Sequence, residues 1–217
     1  MIRLLDIIIA LVALAILIIP CGIIAIFLRF TGEGEVFFMQ ERIGKGGKPF
    51  QIYKFATMLK DSPNMAGGDI TTGGDPRVLP MGNFLRKTKI NELPQFLNVL
   101  GGSLSVVGPR PLTPKVFSLF PPEYAAILDD IPPGITGASS IVFRDEEGIL
   151  QASSKDFLTC YKDDIVPYKT ALELWYREHR SLWINIVLVF LTAWTILRSR
   201  SALYKKLLPD LPENPNK

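Results

Sequence analysis

The sequence predicts an α+β fold attached to a membrane, on three observations. The 22 residues from Ile7 to Leu28 carry no charge, enough to enter or cross a bilayer. A strand-like segment at Val36–Phe38 and an alternating one at Phe50–Phe55, on either side of the glycine-rich stretch Gly44–Gly47, predict a β-hairpin. Apolar residues at helical spacing follow Glu92 and recur between Tyr168 and Arg180.

At 217 residues the chain suits one domain with a core of its own plus membrane elements. The net charge of +3 and the pI of about 8.8 favour anionic partners. Cys21 and Cys160 are too few and too far apart for a disulfide framework, which points to a reducing compartment. His179 is the only histidine, which argues against a multi-histidine metal site and a Ser-His-Asp triad and leaves a single histidine base as an alternative. A surface or interfacial position is the plain reading of it.

Taken in order, Ile7–Leu28 would make about 33 Å of straight helix. Pro20 removes one helical hydrogen bond and predicts a kink before Cys21-Gly22. Arg3 and Arg29 flank the segment, so charge sets no orientation, and a spanning and a re-entrant path fit these residues equally. A signal peptide fits less well, because the apolar run is long and lacks a clear small-residue cleavage site. Gly32–Gly34 is a turn, Val36–Phe38 a strand, and Phe50–Phe55 the returning strand. Gly44-Lys45-Gly46-Gly47-Lys48 lacks Walker A spacing and suits a basic hairpin tip near lipid headgroups. Asp61–Pro76 is a long loop, either a lid over a site or a surface insertion.

The stretch Asp75–Pro111 organises the rest. Between Pro76 and Lys115 stand Arg77, Arg86, Lys87, Lys89, Arg110 and Lys115, against Glu92 alone. A lone acid in a basic run is a salt-bridge partner or a carboxylate working beside an anion. The spacing of Leu93, Phe96, Leu97 and Leu100 predicts a helix from Glu92, capped by Asn91, with Pro94 in its first turn and Gly101-Gly102 ending it. Such a helix N-terminus, with Arg86, Lys87 and Lys89 upstream, suits phosphate. Leu104–Val107 predicts a short strand, after which Gly108-Pro109-Arg110-Pro111 stiffens the backbone around one guanidinium.

From Glu123 to Asp164 acids dominate, as a solvated face. Asp145-Glu146-Glu147 lacks EF-hand spacing and fits a solvated loop better than a metal site. Tyr168–Arg180 is an amphipathic helix. Trp183–Leu197 is apolar but spans only about 22 Å as helix, too short to cross comfortably. Trp183 and Trp194 suit a headgroup interface, and Arg198, Arg200, Lys205 and Lys206 an anionic leaflet. A core helix with a basic tail is the alternative. Leu208–Lys217, with three prolines, predicts a frayed end.

The run RKTKINELPQFLNVLGGSLSVVGPRP closely resembles the core of the bacterial sugar transferases, the monotopic phosphoglycosyl transferases. The apolar N-terminus, QERIGKGGKPFQIYKFATM, PPGITG and WYREHRSLW extend the resemblance over most of the chain. It implies a membrane-embedded re-entrant helix-break-helix over residues 1–31, a cytoplasmic catalytic domain over 32–182, an interfacial helix and basic anchor over 183–206, and a flexible tail over 207–217. It implies transfer of a sugar 1-phosphate from a nucleoside diphosphate sugar, a UDP-sugar foremost, to polyprenyl (undecaprenyl) phosphate at the cytoplasmic face of the bacterial inner membrane. The cofactor implied is Mg²⁺, with Glu92 as its protein ligand. Asn91 and Glu92 fall on the catalytic pair, Arg86, Lys87, Arg110 and Arg144 on substrate and phosphate binding, and PPGITG lies near the site. One departure matters: the family's usual Asp-Glu pair reads Asn91-Glu92 here. An amide is not a competent nucleophile, so a membrane-bound scaffold of the same fold is the competing expectation. A nucleic-acid partner is not expected, because the basic residues sit beside Gly and Pro turns instead of interleaving with aromatics. A homodimer is left open.

Overall fold

The computed structural model of the chain describes residues 1–65, 75–198 and 201–214. The elements in order are α1 (Ile2–Arg29), β1 (Phe37–Ile43), β2 (Pro49–Phe55), α2 (Gly82–Lys87), α3 (Gln95–Gly101), β3 (Ser105–Val107), α4 (Pro114–Phe117), α5 (Pro122–Asp130), β4 (Gly134–Thr136), α6 (Ala138–Val142), α7 (Glu146–Ala152), α8 (Phe157–Cys160), α9 (Val166–His179), α10 (Leu182–Leu197) and α11 (Tyr204–Leu207). Helix and sheet are mixed, as an α+β class requires.

Among the described residues, α1 is the one helix long and apolar enough to cross a membrane. It runs through Pro20 without a gap, where a break was expected. Asp6, Ala10 and Leu28 are buried against the rest of the chain, whereas Ile16, Ile18 and Ile19 are about 70% exposed. An exposed apolar face this large calls for a lipid or protein partner.

The expected hairpin is present. β1 and β2 pair antiparallel from Phe37↔Phe55 to Ile43↔Pro49, closed by a 3₁₀ turn at Lys45–Gly47. Asn98 of α3 completes its edge: its Oδ1 accepts from the Tyr53 amide at 2.9 Å and its Nδ2 donates to the Gln51 carbonyl at 2.8 Å. The side-chain amide thus stands in for a further strand. The tip at 45–47 lies beside α5, with Lys45, Gly46, Gly47 and Lys48 exposed.

β3 and β4 pair parallel, Ser105 with Gly134 and Val107 with Thr136. Glycine is required here by close approach: a Cβ at Gly108 would lie 2.4 Å from the Pro132 carbonyl oxygen, and one at Gly134 would lie 2.1 Å from the Gly108 nitrogen. The core around this pair takes in Val106, Val107, Ile127, Leu172, Tyr176, Leu188 and Leu191. Tyr176 of α9 donates its hydroxyl to Asn185 Oδ1 of α10 at 2.8 Å and lies 3.2 Å from the Val107 carbonyl.

The helix start and the tail depart from expectation. The helix predicted from Glu92 begins instead at Gln95, after a 3₁₀ turn at Ile90–Glu92, and the Asn91 side chain caps nothing. Pro94, lacking an N–H, pushes the regular helix beyond it; Gly102 ends the helix at φ +84 as expected. α10 is in part a core helix, with Val187, Leu188 and Leu191 buried, while Trp183, Phe190 and Leu197 are exposed. The tail is not free from residue 207, because Leu208 is 3% exposed and Leu211 packs on the same core. The lid expected within 61–76 falls largely on 66–74, and Arg200 of the basic cluster also lies outside the described residues.

Candidate active site

The turn that carries Glu92 is built by an unusual backbone. Lys89, at the end of the α2 connection, sits in the left-handed region at φ 62, alone among described non-glycine residues. Such a conformation persists only when its surroundings over-determine it. It reverses the chain so that Asn91 turns inward, 8% exposed, while the Glu92 side chain stays 14% exposed.

Glu92 faces a cleft lined by Arg42, Ile52, Lys54, Gln95, Arg110, Pro111, Gly134 and Ile135. Arg110 approaches from the other wall, its Nη2 3.5 Å from Glu92 Oε1. That is the outer limit of a hydrogen bond, and Arg110 is 37% exposed, so most of its donors remain open to a ligand. Its backbone is held by prolines on both sides and by Tyr124, whose hydroxyl donates to the Arg110 carbonyl at 3.2 Å.

Burial pushes the Glu92 carboxyl up, but the charges of Arg110, Lys54 and Lys89 outweigh it and hold the group down to about 2. It is ionised throughout the physiological range. Lys54 moves the other way. Burial, with Arg42 beside it, lowers the ammonium to about 7 against the pull of Glu92. Arg42 is anchored, donating to the Pro111 carbonyl at 3.1 Å and to Gln40 Oε1 at 2.5 Å. The result is an anion-seeking cleft with one fixed carboxylate.

Of the expected residues, Glu92 and Arg110 share the cleft, 3.5 Å apart, whereas the others lie around it. Arg86 reaches Met58 Sδ at 3.6 Å and acts on Lys54 through its charge, yet does not line the cleft. Lys87 is exposed and also off the lining. Arg144 is half-buried just before α7, without a hydrogen bond or ion pair among the described residues. Asn91 stays behind the wall with a buried, unpartnered Oδ1. The helix N-terminus expected to hold phosphate is closed. The amides of Glu92, Leu93, Phe96 and Leu97 already donate to the carbonyls of Lys89, Ile90, Leu93 and Pro94. His179 is exposed and not part of this lining.

Arg42 and Lys54 were missed as site residues. A signal for Lys54 was available, because strand alternation puts it on one face with Phe50 and buried Ile52. A cation on the inward face of a short strand marks a site more often than an outward one does.

Behind Arg110 lies a second polar cluster. Lys169 is buried, donates to Glu146 Oε2 at 2.6 Å, and sits 5.1 Å over the Tyr161 ring. Glu146 and Tyr161 are both near enough to act on Arg110 electrostatically, so α7 and the π-turn Tyr161–Ile165 border the site. Among the described residues no three His, Cys, Asp or Glu side chains gather to hold a metal. Glu92 is the one carboxylate in the cleft lining, and Mg²⁺ as a rule keeps several waters and takes further ligands from substrate phosphates, so a single protein carboxylate is compatible with it.

The sequence profile described as bacterial sugar transferase matches residues 1–199. The chain belongs to that family. It is 34% identical over 175 residues to a UDP-N-acetylgalactosamine-undecaprenyl-phosphate N-acetylgalactosaminephosphotransferase of Aeromonas hydrophila, covering 80% of this chain and 38% of the relative. It is 35% identical over 178 residues to a UDP-glucose:undecaprenyl-phosphate glucose-1-phosphate transferase of Escherichia coli, covering 79% of this chain and 34% of the relative. A putative undecaprenyl-phosphate N-acetylgalactosaminyl 1-phosphate transferase of Bacillus subtilis shares 41% identity over 121 residues, 56% of this chain and 67% of that one. The chain thus spans 38% and 34% of the first two relatives, little more than a third of each.

Proposed function

We propose that this family member transfers a sugar 1-phosphate from a UDP-sugar to undecaprenyl phosphate, giving the lipid diphosphate sugar and UMP. The observation that carries this reading is the open Arg110–Glu92 pair, set with Lys54 and Arg42 in one cleft. Three cations around one ionised carboxylate suit a reaction between two phosphates, where negative charge must be neutralised and oriented. An oxygen of the lipid phosphate bonds to the sugar-bearing phosphorus, and the bond from that phosphorus to the bridging oxygen breaks, its electrons leaving with UMP. Arg110 presents a planar fork to the phosphate oxygens, while Lys54 and Arg42 hold the charge of the second phosphate. Glu92 fixes Arg110 and is the residue that would hold Mg²⁺. When bound, that ion screens the diphosphate charge. Asn91 is off the cleft and carries an amide, so transfer runs directly between the two substrates.

We take α1 as re-entrant, with the domain on the cytoplasmic face of the inner membrane. Both of its ends rest on the same domain: Ala10 is buried in the main core, and Leu28 packs with Phe55 and Leu85. A catalytically disabled scaffold is the second reading, and Asn91 is what favours it. Membranes holding the chain are incubated with undecaprenyl phosphate, a series of UDP-sugars and Mg²⁺. UMP release without a labelled protein adduct supports direct transfer. Release and an adduct only in Asn91→Asp support the disabled form, and the absence of UMP release from either chain with every donor overturns the transferase reading.

A further inference from the structure

The first two turns of α1 carry an arginine and an aspartate ahead of a run uncharged from Ile7 to Leu28, and neither faces solvent idly. Asp6 is 3% exposed. Its Oδ2 accepts from Ser105 Oγ at 2.8 Å and its Oδ1 accepts from the Val106 amide at 3.0 Å, both on β3. Arg3 donates to the carbonyls of Val99 at 2.6 Å and Leu100 at 2.9 Å. Those are carbonyls of the last turn of α3, where a cation is favoured.

We propose that Asp6, supported by Arg3, is a positioning residue that holds the start of α1 on the domain's side of the membrane and sets the depth of Arg110. The inference rests on the reading of α1 as a membrane-embedded helix. Pro20 lies mid-helix and exposed, without a partner that would choose a side. The Asp6 clasp does choose one, because moving residue 1 to the opposite face would break four hydrogen bonds and carry two charged groups through lipid. The clasp also reaches the site by a short covalent path. Val106 is central in β3, and Arg110 follows that strand by three residues. A carboxylate that fixes β3 against the membrane helix therefore fixes how far the Arg110 guanidinium stands from the headgroup plane, where a lipid phosphate must be met.

The test uses the full chain in bacterial membranes, with Ile2→Cys as the reporter in a Cys21→Ser, Cys160→Ser background. A membrane-impermeant maleimide is applied to intact cells and to inverted vesicles. The reporter is expected to label only from the face of the domain, and Asp6→Asn should keep this, since an amide can accept from Val106 and donate to Ser105. Asp6→Leu should send at least a tenth of the label to the opposite face. It should also raise the KM for undecaprenyl phosphate about tenfold, with the KM for the UDP-sugar within twofold. Arg3→Gln, which leaves the core untouched, should shift the label in the same direction by less, and it decides the matter if Asp6→Leu does not fold by tryptophan fluorescence. One-sided labelling in both variants, with Pro20→Ala alone shifting it, overturns the proposal. Labelling needs no turnover, so a chain that releases no UMP refutes the transfer reaction and leaves the clasp to be judged on its own.

Discussion

Two arginine–carboxylate pairs lie within the same basic stretch, and they are built for opposite purposes. Arg77 and Asp75 are 2% and 5% exposed, 2.6 Å apart, with Arg77 Nε also on Asp75 at 2.9 Å and Nη1 on the Ser62 carbonyl at 2.9 Å. The hydrogen bonds from Arg77 hold Asp75 down to about 2. Arg110 and Glu92 are 3.5 Å apart, and Arg110 is 37% exposed. The first guanidinium is saturated by its own chain and locks a loop. The second has donors to offer and a carboxylate kept charged by cations that do not neutralise it by contact. The same two residue types thus serve stability when every donor is used and binding when most are not.

The comparison is broken most strongly at Glu92. Glu92→Gln should lower UMP release by about 10²–10³-fold, the scale of removing one preorganised electrostatic group. Its unfolding midpoint should barely move, and full turnover in that variant would remove Glu92 from the site. Arg77→Ala should do the reverse. Leaving Asp75 buried and unpaired is expected to cost about 3–5 kcal/mol in urea unfolding, with turnover per folded molecule unchanged. Arg110→Lys keeps the charge and loses the fork, so turnover should fall by roughly tenfold, about 1.4 kcal/mol in the barrier. Wild-type turnover there would make Arg110 a surface charge.

The smallest effects are in pH. Lys54, lowered to about 7, gives up its proton as pH rises through that value, so turnover should decline on the alkaline side with a midpoint near 7. Lys54→Arg should carry the plateau to higher pH. Glu173 offers the stability counterpart in a group outside the cleft. It is buried and hydrogen-bonded by Ser139, and burial raises it to about 7. Its folded form therefore holds a proton that the unfolded chain has released between about pH 4.5 and 7, so stability falls as pH rises across that window. Glu173→Gln should flatten that slope in urea titrations, and an unchanged slope would show that another group sets it.

The sequence by itself determined the apolar N-terminal helix, the hairpin about Gly44–Gly47 and the Gly102 helix stop. Each rests on local chemistry: an uncharged run, period-two alternation in the returning strand, and glycine's access to positive φ. The meeting of Glu92 with Arg110, 18 residues apart, is a tertiary contact. The family resemblance also stands, matched from residue 1 to 199. Only the tertiary structure decided which charges share the cleft. Lys54 and Arg42 enter it because their hairpin is docked on α3, whose Asn98, 44 residues beyond Lys54 in the chain, binds the main-chain edge of β2 at Gln51 and Tyr53. Asn91 and Glu92 are neighbours in sequence, yet the left-handed turn at Lys89 sends one side chain inward and the other to the cleft. The same holds for Asp6, which in sequence is merely the last charge before a long apolar run. Its partners at Ser105 and Val106 lie about a hundred residues away, and no periodicity or spacing encodes a hydrogen bond across that distance.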